Sequence, residues 1–247
     1  MGRIRLGVLT ALPFVMLAGA TPAAQAPQPP GDAEIRDAVV RRILERVLPE
    51  VGAIYVSARD GAVTLRGTVE NAWTRTQAFE EARQVPGVKS VSSDMTIRRV
   101  PDDKINEQID LQLFRYVFYT IFDIVYAVSS NGVVAIEGAV TEPFKAAEIE
   151  TFVARVPGVF SVTNSIRTIA ASPQDDQLRV AIATRLYRLP RFWGYSVLVA
   201  PPIHIVVERG RVTLFGTVDN ARDRDLASAV VSGTTGVTAF DNLIRVR

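Results

Sequence analysis

With 247 residues, of which 48% are apolar and 22% charged, the chain has enough hydrophobic material for several packed cores and too much for a disordered protein. A net charge of +2 from 28 basic and 26 acidic residues argues against nucleic-acid binding, which takes a dense basic face. There is no cysteine, which excludes disulfides, a thiol nucleophile and a lipid-modified N-terminal cysteine.

The first 26 residues have the pattern of a secretory signal peptide. Arg3 and Arg5 precede the uncharged stretch Leu6 to Ala20, and small residues lead to Ala24-Gln25-Ala26, an A-x-A exit. Cleavage after Ala26 is expected, with Ala20 or Ala24 as alternatives. The apolar run is shorter than the ~20 residues of a bilayer span, which favours cleavage over a retained anchor. Residues 27–33, "PQPPGDA", read as an extended proline-rich linker. The mature protein is therefore expected to be soluble in the periplasm, or secreted.

From residue 34 the chain writes one pattern three times, over 34–99, 102–170 and 173–247. The first copy opens with Ile35, Val39, Ile43 and Val47 on one helical face, which Pro49 ends. The β-branched segments "IYVSA" and "AVTLRG" flank Arg59-Asp60-Gly61 as a hairpin. Gly67 then closes the strand, at a corner where the chain is expected to leave the sheet. A second helix follows over about 71–84, with Ala78, Ala82 and Val85 facing inward. Pro86-Gly87 stops it, and "VKSVSSDMTI" forms a last strand. The second and third copies repeat the strand-closing glycine at Gly138 and Gly216. Exactly as in the first copy, each is followed twenty residues later by another glycine, at Gly158 and Gly236. Ile149, Val153 and Val156, then Ala227, Val231 and Thr234, occupy the inward positions of the second helix.

This order predicts an α+β protein of three tandem αββαβ modules. Each is a three-stranded mixed sheet covered on one face by two helices, because the second helix must carry the chain across to the third strand. The six repeated glycines are read as structural, since neither a dinucleotide nor a P-loop phosphate motif is present.

The hairpins "DGAVTLRGTV", "NGVVAIEGAV" and "RGRVTLFGTV", the Gly-Val pairs after them, and the terminal strand of the form Val162-Thr163-Asn164-Ser165-Ile166 resemble the BON domain, a small bacterial module named for an osmotically inducible periplasmic protein and for nodulation proteins. The third copy keeps the asparagine at Asn242. The first departs at Ser93, where asparagine is expected, and the second at Ala135 and Ala139, where threonine is usual. The resemblance implies a periplasmic, non-catalytic module associated with phospholipid membranes and envelope integrity. It brings no catalytic residues with it.

The residues themselves point the same way. The lone histidine, His204, sits between isoleucines on a predicted strand, a packing or edge position. Asp102-Asp103 and Asp175-Asp176 stand at predicted helix starts, where negative charge suits the dipole. No enzymatic activity, cofactor or metal site is expected. The modules carry net charges of +2 (11 basic, 9 acidic), −4 (5 and 9) and +3 (10 and 7). The third also holds an insertion, "RLYRLPRFWGYSVLV", that gathers Arg185, Arg188 and Arg191 with Tyr187, Phe192, Trp193 and Tyr195. Arginine beside amphipathic rings suits a membrane interface, so Arg185, Arg188, Arg191, Phe192, Trp193 and Tyr195 are the expected contacts with an anionic phospholipid surface. "LFRYVFYTIFDIVYAV" in the second module reads instead as a helix end followed by a buried strand. A scaffold that presents sheet edges or faces to envelope proteins is the alternative.

Overall fold

The computed structural model describes residues 30–47, 54–196 and 201–247. The expected signal peptide and the Pro49 helix stop lie outside the described residues. Module one runs α1 (Asp32–Val47), β1 (Ile54–Arg59), β2 (Ala62–Val69), α2 (Ala72–Arg83) and β3 (Ser90–Ile97). Module two runs α3 (Asp102–Arg115), β4 (Ile124–Ser130), β5 (Val133–Val140), α4 (Pro143–Ala154) and β6 (Ser161–Thr168). Module three has α5 (Pro173–Tyr187), a 3-10 turn (Pro190–Phe192), the short α6 (Trp193–Ser196), β7 (Ile203–Glu208), β8 (Arg211–Val218), α7 (Ala221–Ser232) and β9 (Ala239–Val246).

Each sheet keeps its strands in chain order, the hairpin pair antiparallel and the last pair parallel. The three modules are thus the mixed sheets that the pattern predicts. Alternation sends Val63, Leu65 and Val69 of β2 inward against α1 and α2. Ala78, Ala82, Ile149, Val153, Ala227 and Val231 are all completely buried. The hairpins turn through Asp60-Gly61, Asn131-Gly132 and Arg209-Gly210, with positive φ at both residues of each pair, the geometry whose twist matches flanking strands.

The strand-closing glycines differ from the expected corner. Gly67, Gly138 and Gly216 lie inside the central strands, two residues before their ends, at φ 132°, 145° and 126°. A Cβ on Gly138 would stand 2.0 Å from the Ile124 carbonyl oxygen, and one on Gly216 1.8 Å from that of Pro202. The reason for glycine is close backbone approach by the hairpin partner, not an exit into the helix.

A second device recurs at the other end of each hairpin. The Asp32 carboxylate accepts from the Asp60 and Gly61 amides, Asp102 from Asn131 and Gly132, and Asp175 from Arg209 and Gly210. The leading aspartates of the predicted acidic pairs therefore do more than suit a helix dipole, because they clasp the hairpin turn to the first helix. Asp102 also accepts from Ser129 Oγ at 2.6 Å. Those donors hold the Asp32 and Asp102 carboxyls below the usual range.

Modules one and two share one hydrophobic core, and module three has its own. At the first junction Gly158 donates to the Glu70 carbonyl at 2.8 Å, Asn71 Nδ2 to Arg155 O at 2.8 Å and Arg75 to Phe160 O at 2.9 Å. The Arg155 guanidinium covers the Trp73 ring at 4.0 Å.

Candidate functional site

Of the six residues expected at a membrane surface, most are committed within module three. Arg185 Nη1 donates to Gly233 O at 2.6 Å and to Thr234 Oγ1 at 3.1 Å, tying α5 to the end of α7. Arg191 Nε donates to Asp223 Oδ1 at 2.5 Å, and the Tyr195 hydroxyl bonds both Asp219 and Asp223. Asp223 is buried in the first turn of α7. Burial alone would raise its carboxyl, but Arg191, Tyr195 and Asn220 hold it below the usual range. Phe192 is fully buried in the module-three core. Arg188 is exposed, and so is 61% of Trp193, although Trp193 also has an interaction within the chain. The charge-and-ring composition was legible in the sequence. Its partner Asp223, 32 residues away, was not.

The structure brings forward another surface in module two. Between the end of α3 and β4, residues 116–123 form turns instead of continuing either element. The helix end and the strand form where expected, but the strand is buried on one face only, with Tyr126 and Val128 exposed, and Phe118 between the two elements is exposed as well. Val117 in the turn is 83% exposed, and Phe114, Phe118 and Phe144 are each about half exposed. Phe118 meets Phe144 edge to face at 5.5 Å and Tyr116 at 5.8 Å, so the rings form one patch. Tyr116 donates to Glu148 Oε2 at 2.5 Å. Burial and then that carboxylate push its phenol well above the usual range.

The base of this turn is rigid. Asp123, fully buried, accepts from the Thr120 and Thr141 amides (both 2.8 Å), from their hydroxyls (2.9 and 3.0 Å) and from Lys145 Nζ at 2.8 Å. Burial would raise its carboxyl, and these donors together hold it low. Lys145 is itself only 4% exposed, so each charge depends on the other. Ile121 and Phe122 pack on the module-three core, and Ile205 donates to Ile121 O at 2.7 Å. The exposed apolar turn thereby rests on a fixed base.

His204 belongs to the base of this turn. It stands on β7 against the Tyr119 ring at 5.4 Å, hydrogen-bonded to the Asp123 and Thr120 backbone. Burial lowers its pKa below the ordinary value, which keeps the ring neutral. Its Nδ1 is buried without a hydrogen-bond partner, and the ring packs between modules two and three. Among the described residues no group of three or more His, Asp or Glu is placed to hold a metal ion, and no helix is long and apolar enough to cross a membrane.

The threefold repeat has a counterpart among known families. The BON domain profile matches residues 31–99, 102–170 and 174–247. The chain belongs to the BON-domain family. Its three tandem copies account for the repeat, and the asparagine of the BON terminal strand has a visible task here. Asn164 Nδ2 donates to Ala146 O at 3.1 Å and Asn242 Nδ2 to Arg224 O at 3.1 Å, each tying the last strand to the second helix. No curated protein matches the chain. Among solved structures, the C-terminal domain of CdsD, a structural protein of the type III secretion system of Chlamydia trachomatis, is 15% identical. That match covers 85% of this chain and 96% of that one, at a TM-score of 0.25. The periplasmic domain of the S. typhimurium type III secretion inner-membrane protein PrgH is 15% identical, covering 79% and 100%, at a TM-score of 0.21.

Proposed function

We propose that this BON-repeat protein is an exported, non-catalytic module that docks on the phospholipid surface of the cell envelope and supports its integrity. The observation that carries the reading is the aromatic turn of module two. Contiguous exposed apolar side chains on a rigidly based turn mark an interaction surface, and short apolar turns flanked by rings suit shallow insertion at headgroup depth. Arg188 and Trp193 of module three are proposed as a second, electrostatic contact, worth about 1 kcal/mol per basic residue near an anionic surface. Arg185, Arg191, Phe192 and Tyr195 support that contact by holding the insertion in shape.

Co-sedimentation with anionic and neutral liposomes tests this. Val117→Ser with Phe118→Ser is expected to abolish binding with only a small change in the melting curve, because Val117 is 83% and Phe118 51% exposed. Arg188→Ser with Trp193→Ser should weaken binding to anionic vesicles and remove much of its salt dependence. Wild-type protein that ignores both vesicle types, or a turn variant that binds like wild type, overturns the reading. A protein partner is the second reading, favoured by the exposed Val128 and Val133 on the outer face of module two's sheet.

A further inference from the structure

The outer sheet faces of modules two and three meet over a narrow strip and then diverge. The strip is Ile124, Ala139, Ile169 and Val206, with Phe215 against it. Beyond it a cleft of about 660 Å³ opens between the two sheets, a size within the range of small-molecule sites. Tyr126 and Phe215, ring centroids 6.1 Å apart, form its floor. Leu243, the strand neighbour of Phe215, also lines it and is 55% exposed. Arg245 and Arg247 line the same hollow, and no carboxylate does. Arg247 reaches Asp219 only at 3.5 Å, and Arg245 makes no ion pair among the described residues.

We propose that this cleft binds a single amphiphile with an anionic head, its chain along Tyr126, Phe215 and Leu243 and its head on Arg245 and Arg247. The charge complementarity decides the class. A purely polar anion would leave the rings and leucine facing water, and a neutral apolar ligand would leave Arg245 without an anionic partner, where a planar fork suits carboxylate or phosphate. The cleft also continues an interface that the chain already buries, so its floor is preformed. The ligand class is that of the membrane reading, but the site is separate and the two can fail independently.

Fluorescence titration of the mature chain with dansyl-undecanoic acid, below its micelle concentration, tests the proposal. Saturable binding is expected. Leu243→Lys and Arg245→Glu are each expected to weaken it by about tenfold or more, as is replacing the probe's carboxylate with an alcohol. Both residues are solvent-facing, and a melting curve checks that the variants fold. Inorganic phosphate should not displace the probe. The Val117→Ser, Phe118→Ser protein should bind it like wild type even where vesicle binding is lost. Absence of saturation, unchanged affinity in both variants, equal binding of the alcohol, displacement by phosphate, or loss of probe binding in the turn variant overturns the assignment.

Discussion

The outer sheet faces of modules one and two share one register and have opposite character. In module one the rows Thr64–Ser92, Arg66–Asp94 and Thr68–Thr96 close on themselves, through hydroxyl contacts of 3.0 Å and an ion pair at 3.2 Å. The same rows in module two are Ala135–Thr163, Glu137–Ser165 and Ala139–Arg167. Ala139, the counterpart of exposed Thr68, is 2% exposed beneath Val206 and Phe215 of module three. At position 139 alanine suits the buried contact, because a methyl group needs no partner when buried and a hydroxyl does. The two departures from the BON motif in the second copy thus lie on the face that docks, and Ala139 sits at the contact itself.

The largest effect is expected from breaking that difference directly. Ala139→Lys would bury an amine beside Arg167 and should cost about 3 kcal/mol, splitting the melting of module three from the rest. Thr68→Lys, at the matching position of module one, should change stability by no more than about 0.5 kcal/mol. Calorimetry of the two variants decides, and equal effects would show that the two faces do not differ in role.

A smaller effect follows from His204, which packs into the same junction. Its folded pKa lies below the ordinary 6.5, so the unfolded chain takes up the proton first and stability falls as pH drops below about 6.5. The clasping aspartates have depressed pKa values, and their contribution is present above about pH 4 and lost only below it. Denaturant midpoints between pH 7 and pH 5 therefore separate the histidine from these aspartates. His204→Gln should flatten that slope, and an unchanged slope would remove His204 as its source.

The smallest effect sharpens a second contrast. Ser93 of module one occupies the place of Asn164 and Asn242 and lacks their ties to the second helix. Ser93→Asn should let its amide reach the Arg75 carbonyl, 18 residues back as in the other copies, and stabilise module one by about 1 kcal/mol. Hydrogen exchange in α2 and β3 would show the added protection.

Much of the fold was legible because it rests on local periodicity. Helical faces such as Ile35, Val39 and Ile43, strand alternation in "AVTLRG" and the paired positive-φ turns are set by residues a few positions apart. The membrane surface was legible only as composition. Arg191 and Tyr195 read as lipid contacts until Asp223 is brought beside them, while Val117 and Phe118 read as part of a helix end and strand until the turn between them is seen to be exposed. The threefold repeat, the inward positions and the recurrence of glycine at 67, 138 and 216 are thus properties of the sequence itself, whereas the reason for those glycines, a close backbone neighbour on the partner strand, is not. Which faces meet, which charges find partners 32 residues away, and where a cleft opens between two sheets were decided only in three dimensions, because those energies depend on distances that chain order does not specify.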